Sequence, residues 1–545
     1  MNDHMLTKLS KFWHGETNGI AAAAFVIGAA SLASRLVGVL RDRALASTFG
    51  AGHTLDAYYA AFRVPDFLYN LIILGALSAG FIPIFSEYLS RRAAREAWIL
   101  AEQTLAVIGA ILVASCALLA LLAPLIVPLT VPGFSGDQLD LTVRLSRIML
   151  LSPLFLGLSA VMGGILQATR RFVAFALAPV VYNLAIIFGV YVFAPQMGIT
   201  GVAWGVVFGA ALHCAVQTRV AFRLGLTRIP WPSFTHEGVR RILKLMLPRA
   251  AGLAVSQVNL VILLAFASAL PAGSVAVLTL ATNLQSFPVG LIGVSFAIAA
   301  FPLFTAAASR NDRSEFHRTF DSAARKIMFF ILPATALFIL LRAQIVRLAL
   351  GAGVFDWNDT IRTATVLGIF IVSLLGQSIV PLLARAFYAY QNTMTPLWIG
   401  IVSDVVNVGL AFALRGSYGI VGLAIAFSVA TYVNAILLFF AFERRYGRFE
   451  KRPFLVSFVK SAAAATAIVL VGYPVRQWIG TLFPLRTFWQ VAVQAGAAGT
   501  VGLAAFVFVA WLVKSPELRE LHISINRRLF RHGLAVSGAE EAQGV

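Results

Sequence analysis

Hydrophobic residues in this chain come in long blocks separated by short polar breaks. Runs able to cross ~30 Å of hydrocarbon fall roughly at 20–48, 55–88, 98–128, 141–168, 172–194 and 199–222. A basic break, TRIPWPSFTHEGVRR, fills 227–241. Further runs lie near 242–270, 274–308, 321–349, 359–390, 394–414 and 419–442, and two more near 453–474 and 488–513. The pattern predicts an all-α polytopic membrane protein of about fourteen transmembrane helices. Its expected parts are a polar segment at 1–19, a six-helix lobe at 20–226, the basic linker at 227–241 and a second six-helix lobe at 242–446. A terminal helix pair at 453–513 and a polar tail at 514–545 complete them.

The second lobe echoes the first. GITGVAWG at 198–205 has a counterpart in GIVGLAIA at 419–426. Each follows a short run containing an asparagine, Asn183 or Asn407, itself preceded by a polar turn, ATRRF or YQNTMTP. Two halves in the same orientation place a pathway between them near the midplane, as in other transporters built from repeats.

Composition agrees with this pattern. Of 545 residues, 59% are hydrophobic and 12% charged. That apolar excess is too large for a soluble core. The net charge of +20 would suggest nucleic acid in a soluble chain. Here the basic residues fall in alternate connections: Arg91, Arg92 and Arg95; Arg170 and Arg171; Arg219 to Lys244; Arg310 to Lys326; Arg444 to Arg452. The intervening loops FGAGHT, TVPGFSGDQLD, APQMG, LPAGS and GAGVFDWND lack them. The positive-inside rule therefore puts both termini in the cytoplasm of a bacterial inner-membrane protein and removes nucleic acid as a partner. The first run ends without a small-residue cleavage site and is expected to be a retained helix. Cys116 and Cys214 sit within apolar runs, predicting neither a disulfide framework nor a cysteine metal site. Without a Gly-rich loop before a Lys-Ser/Thr pair, direct ATP hydrolysis is not expected.

Ionisable groups inside spans are costly and point to function. They concentrate in the first two runs. Arg35, Arg41, Asp42 and Arg43 occupy the second half of the first, with Arg35 and Asp42 two turns apart on one face. In the second, Asp56, Arg63 and Asn70 recur every seven residues, and Tyr59 and Asp66 follow the first two by three. Pro65 can open the backbone beside this stripe. Arginine forks suit phosphate oxygens, and the carboxylates would hold them in place. The competing reading is a set of interfacial ion pairs fixing the first hairpin. A second group, Asp404 and Asn407 with Asn259 and Thr431, offers oxygen ligands for a sodium ion or hydrogen bonds between helices.

SRLVGVLRD, FGAGHTLDAYYAAFRVPDF and GALSAGFIPIFSEY, in that order, resemble the opening signature of the MurJ/MviN family. AVSQVNL, SFPVGLIGVS and ARAFYAYQNTMTP are similar to its later helices. The resemblance implies a fold of the MOP exporter superfamily: two MATE-like lobes, with the last two helices forming a groove for a lipid tail. It implies a transporter, not an enzyme, that flips lipid II, the undecaprenyl-pyrophosphate-linked peptidoglycan precursor, from the cytoplasmic to the periplasmic leaflet. Arg35, Arg41, Asp42 and Asp56 match the family's central cavity, and Arg63 and Asn70 extend that set. Cell-wall synthesis proteins are further implied partners. No cofactor is implied beyond sodium or membrane-potential coupling.

The chain also departs from the pattern. Family members carry an arginine pair and a glutamate where it reads Tyr69, Asn70 and Leu74, and an arginine where it reads Asn283. Arg249 and Arg385 are the residues able to compensate. The departures leave open a flippase for another polyprenyl-linked glycan, a cation-coupled exporter, or a non-transporting scaffold. A membrane glycosyltransferase would need poised carboxylates at the surface. Asp137, Asp140, Asp356 and Asp359 show no such pairing in sequence.

Overall fold

The computed structural model describes residues 20–74, 80–91, 94–447, 449 and 451–523. The segment 1–19, most of the tail, and the side chains of Leu74 and Arg249 lie outside the described residues. Every regular element described is helical. The first are α1 (Ile20–Phe49), α2 (His53–Ala61) and α3 (Arg63–Tyr69), then a π-helical turn at Asn70–Leu74. Next come α4 (Ile82–Ser90), α5 (Ala94–Thr130), α6 (Gly136–Met149), α7 (Ser152–Ala168), α8 (Phe172–Phe188), α9 (Ala194–Met197) and α10 (Ile199–Leu224). Beyond the basic linker lie α11 (Glu237–Ser268), α12 (Ser274–Pro288), α13 (Ser295–Ser309), α14 (Arg313–Ala349), α15 (Trp357–Val372) and α16 (Leu374–Ala389). The last are α17 (Met394–Tyr446), α18 (Lys451–Leu482) and α19 (Phe488–Leu512).

Among the described residues, nine helical segments are long and apolar enough to cross a membrane, and ten if the bent pair α15–α16 counts as one span. The sequence reading reaches about fourteen by adding three runs and by dividing α17 in two. Those three are the charged first and second runs and α11. At 53 residues, α17 would be about 80 Å long if straight, far more than a bilayer requires. It breaks at Gly419, whose backbone lies at φ 54°, ψ −134°. Gly198, its counterpart in the repeat, lies at φ 59°, ψ −147° ahead of α10. Three residues on, the match continues. A Cβ on Gly201 would lie 2.6 Å from Phe193 backbone, and one on Gly422 would lie 2.6 Å from the Leu414 carbonyl oxygen. Each glycine thus presses on backbone eight residues earlier, so the repeat reflects one turn geometry built twice.

The chain divides into two compact units. The first holds the described residues of Met1–Leu280, with Ala349–Arg362 and Val408–Leu423. Its core packs Phe81 and Phe85 of the second span on Leu100 and Leu105 of α5, Ile165 of α7 and Ile242 of α11. The basic linker is fastened to α5. Glu102 Oε1 accepts the backbone N–H of Thr227 (2.9 Å) and Arg228 (3.2 Å) and the Thr227 hydroxyl (2.6 Å).

The second unit holds Ala281–Leu348, Thr363–Asn407 and the described residues of Ala424–Val545. Stacked phenylalanines fill one end: Phe304 on Phe316 (ring centroids 4.9 Å apart), Phe316 on Phe442 (5.5 Å) and Phe320 on Phe449 (4.3 Å). The terminal pair α18–α19 packs on α14 through Ile468, Ala498 and Phe506 against Leu340 and Leu341.

Candidate functional site

The first unit carries two polar constructions. One is a cluster of hydrogen bonds joining the segments around Ala51, Asp56, Gly273 and Val354. Asp56, 2% exposed, accepts the backbone N–H groups of Gly273 and Ala276, each at 2.7 Å. Gly273 immediately precedes α12 and Ala276 lies in its first turn, where N–H groups have no partner within the helix. Asp359 Oδ2 accepts the Ala51 N–H at 3.0 Å, and the Ser47 carbonyl accepts the Val354 N–H at 2.9 Å. Arg362 donates to the Ala272 carbonyl at 3.0 Å. Glycine permits the approach. A Cβ at Gly273 would sit 2.0 Å from Ala51 O, and one at Gly353 would sit 2.2 Å from Ser47 O; both residues have positive φ. Asp56 therefore belongs to this cluster, with both oxygens engaged.

The other construction lies between α1, the second span and α8. Arg41 donates from Nε and Nη2 to Asp42 Oδ1, at 3.0 and 2.7 Å, and from Nη1 to Asn183 Oδ1 at 3.0 Å. Asn183 is oriented in turn by its own donations to Pro179 O (3.0 Å) and Ser34 Oγ (3.4 Å). Of the five N–H donors of a guanidinium, two on Arg41 are unused among the described residues. Tyr58 and Tyr59 lie within electrostatic range of Arg41 and Asp42. Tyr182 and Asp66 lie within range of each other, of Arg41 and of Tyr58.

The second span is irregular where it passes this cluster. Pro65 has no N–H to offer Ala61 O four residues earlier, and Ser146 Oγ donates to that carbonyl instead, at 3.1 Å. The π-helical turn begins five residues later, at Asn70. Arg63, Asp66, Tyr69 and Asn70 are half-buried along this stretch. Arg35 is exposed on α1, one helical face with Asp42.

The structure thus brings together Arg41, Asp42, Arg63 and the stripe ending at Asn70, and it adds Tyr58, Tyr182 and Asn183. No charge or spacing signal marked the two tyrosines. Asn183 was visible only as a landmark of the repeat. The side chain of Arg249 is not among those described, and Asn259 sits on α11 of the first unit. Asn283, Arg385, Asp404, Asn407 and Thr431 belong to the second unit. There Arg385 donates to Pro381 O of its own helix at 3.3 Å. Ser403 Oγ donates to Ala430 O at 2.7 Å, joining the two legs of α17 beside Asp404 and Thr431. The Thr431 hydroxyl donates to Phe427 O at 2.8 Å.

The family described as lipid II flippase MurJ matches residues 45–492. A probable lipid II flippase MurJ of Rhizobium tropici is 29% identical over 522 residues, covering 92% of this chain and 96% of that protein. The Haemophilus influenzae counterpart is 31% identical over 510 residues, covering 89% and 97%. Among solved structures, a lipid II flippase MurJ in an inward closed conformation superposes with a TM-score of 0.75 at 25% identity, covering 91% of this chain and 99% of that one. An inward-facing multidrug resistance MATE transporter of the MOP superfamily shares the fold, with a TM-score of 0.63 at 18% identity over 78% of this chain and 98% of its own.

Proposed function

The chain belongs to the lipid II flippase MurJ family, and from that premise we propose that it is itself a lipid II flippase: a multi-pass membrane transporter, not an enzyme, whose substrate is the lipid-linked peptidoglycan precursor. The observation that carries the reading is the guanidinium of Arg41, held by Asp42 and Asn183 between helices. A fixed fork of this kind suits phosphate oxygens. It remains charged when partly dehydrated, and its geometry is set before the ligand arrives.

In this proposal the protein sits in the bacterial inner membrane with both termini in the cytoplasm, and the pyrophosphate-sugar headgroup enters from that side. Arg35, exposed on α1, meets it first, and Arg41 and Arg63 hold it deeper. The outer seal around Asp56 stays closed while the headgroup loads, then opens as the inner side closes. Helices α18 and α19 give the lipid tail a surface to follow. Coupling comes from the membrane potential, worth about 2.3 kcal/mol per charge per 100 mV, or from sodium. Asp404 and Asn407, one turn apart, and Thr431 would hold a sodium ion with oxygen donors suited to a hard cation.

Complementation tests the reading. Cells depleted of their own lipid II flippase should be rescued by the wild-type chain and not by Arg41→Ala at matched expression. Absence of rescue by well-expressed wild type would overturn it.

A further inference from the structure

Tyr59, Arg63, Asp66 and Asn70 follow one another at intervals of four, three and four residues. At about 100° per residue these positions fall within a narrow stripe on one face of the span. The short break at Phe62 does not turn the stripe aside, because Phe62 keeps right-handed helical angles (φ −68°, ψ −22°). The groups on this face differ from Arg41 in one respect. Arg41 is bonded from Nε, Nη1 and Nη2, whereas Arg63 Nε and Tyr59 Oη are buried with no hydrogen-bond partner among the described residues. Tyr59 is only 8% exposed. The Asp66 carboxylate has Arg63 and Arg41 as charge neighbours but no side-chain hydrogen bond among the described residues. Buried polar groups left unpaired are costly, and in a transporter they mark where a ligand supplies the missing partners. The π-helical turn at Asn70, a feature frequent at functional sites, marks the end of the stripe.

The chemistry along the stripe is divided. Arg63 and Tyr59 at one end are donors that match phosphate oxygens. At the other end, an ionised Asp66 only accepts hydrogen bonds, so it repels phosphate and suits hydroxyl or amide hydrogens. Asn70 both donates and accepts, and the Tyr69 ring beside them offers an apolar face. A carboxylate, an amide and an aromatic ring together suit a pyranose, which presents hydroxyls at its edge and C–H bonds on its face. We propose that this stripe reads the headgroup in two parts. Arg63 and Tyr59 take the phosphate, while Asp66, with Asn70 and Tyr69, takes the hydroxyl and amide groups of the sugar next to it. Asp66 is then a specificity determinant that separates a glycosylated polyprenyl pyrophosphate from the bare one.

This inference rests on the flippase reading, and the test keeps the two apart. The full-length protein in detergent is titrated with farnesyl diphosphate and with a farnesyl-linked disaccharide-pentapeptide pyrophosphate. Wild type is expected to prefer the glycosylated probe by about tenfold or more, the size of a hydrogen bond to a charged group. Asp66→Ala should bring the two affinities within about threefold without weakening farnesyl diphosphate binding. Asp66→Asn, close to isosteric and so a guard against misfolding, should fall between. Tyr59→Phe and Arg63→Gln should weaken both probes and leave their ratio intact. An unchanged ratio in Asp66→Ala, or an equal loss for both probes, would overturn the assignment, as would a wild type that binds both probes equally. A wild type that binds neither probe would instead overturn the flippase reading.

Discussion

The Asp56 carboxylate caps the first turn of α12, receiving the Gly273 and Ala276 N–H groups at 2.7 Å across 217 and 220 residues of sequence. A buried charge in this position is held by the helix N-terminus it satisfies. Replacement by alanine leaves two buried donors unpaired, at a cost of about 1–3 kcal/mol each. The seal should then open more often, by roughly tenfold or more. A cysteine at Ala51, which is buried in the seal, would report the change after removal of Cys116 and Cys214. Asp56→Ala should speed its labelling by an impermeant maleimide added from outside, and Asp56→Asn should do so less. Equal rates in all three proteins would show that the cap does not hold the seal.

Gly273 and Gly353 make a separate prediction, because their constraint is steric. An added Cβ would lie 2.0 or 2.2 Å from a backbone oxygen, a distance no rotamer change relieves. Gly273→Ala and Gly353→Ala should each abolish rescue of flippase-depleted cells while the protein still reaches the membrane. Gly136→Ala is the control. It shares a positive φ of 52° but meets nothing within 4 Å, so it should carry only about 1–2 kcal/mol of backbone strain and retain rescue. If all three behave alike, backbone conformation rather than close approach is responsible.

Arg41 tests whether charge or fork geometry matters. Its three bonds reach a carboxylate and an amide on different helices, which a lysine ammonium on a flexible stem cannot reproduce. Arg41→Lys should therefore fail to rescue nearly as fully as Arg41→Ala. Asn183→Ala removes one of the three bonds and should reduce transport severalfold in a vesicle assay. Combined with Arg41→Lys it should add little, since the two residues act as one unit. Full activity of Arg41→Lys would mean that positive charge alone suffices.

Much of this was legible in the sequence, for reasons that differ by element. Long apolar blocks suit spans, and charges inside them are costly unless paired or functional, so Arg41, Asp42 and the Asp56–Asn70 stripe stood out, although the structure engages Asp56 elsewhere. The glycine repeat was legible because the turns at Gly198 and Gly419 need a backbone conformation that few other residues adopt. What could not be read were partners distant in the chain. Nothing near Asp56 announces a helix terminus beyond residue 270, and nothing near Pro65 announces that Ser146 supplies the missing donor to Ala61. The same holds for Asn183. An isolated amide in an apolar run has no signature until the fold sets it against an arginine.

Two carboxylates fasten the segment after α19, one buried and one exposed. Glu517 is 5% exposed, and accepts from Ser457 Oγ at 2.7 Å and Ser515 Oγ at 2.8 Å, with Arg325 4.0 Å away on α14. Three residues on, Glu520 pairs with Lys326 at 3.2 Å, with both side chains more than a third exposed. Each bond is a contact between the end of the chain and its neighbours, yet the two should differ in worth. Glu517→Ala strands two buried hydroxyls and a partly buried guanidinium, and should cost roughly 2–4 kcal/mol. Glu520→Ala removes a solvent-screened pair worth at most about 1 kcal/mol. Thermal unfolding in detergent should therefore show a clear drop for Glu517→Ala and little change for Glu520→Ala. Glu517→Gln, which keeps an acceptor oxygen, should fall between them. Equal losses for Glu517→Ala and Glu520→Ala would mean that the tail is held by apolar packing, and that the carboxylate at 517 is incidental to it.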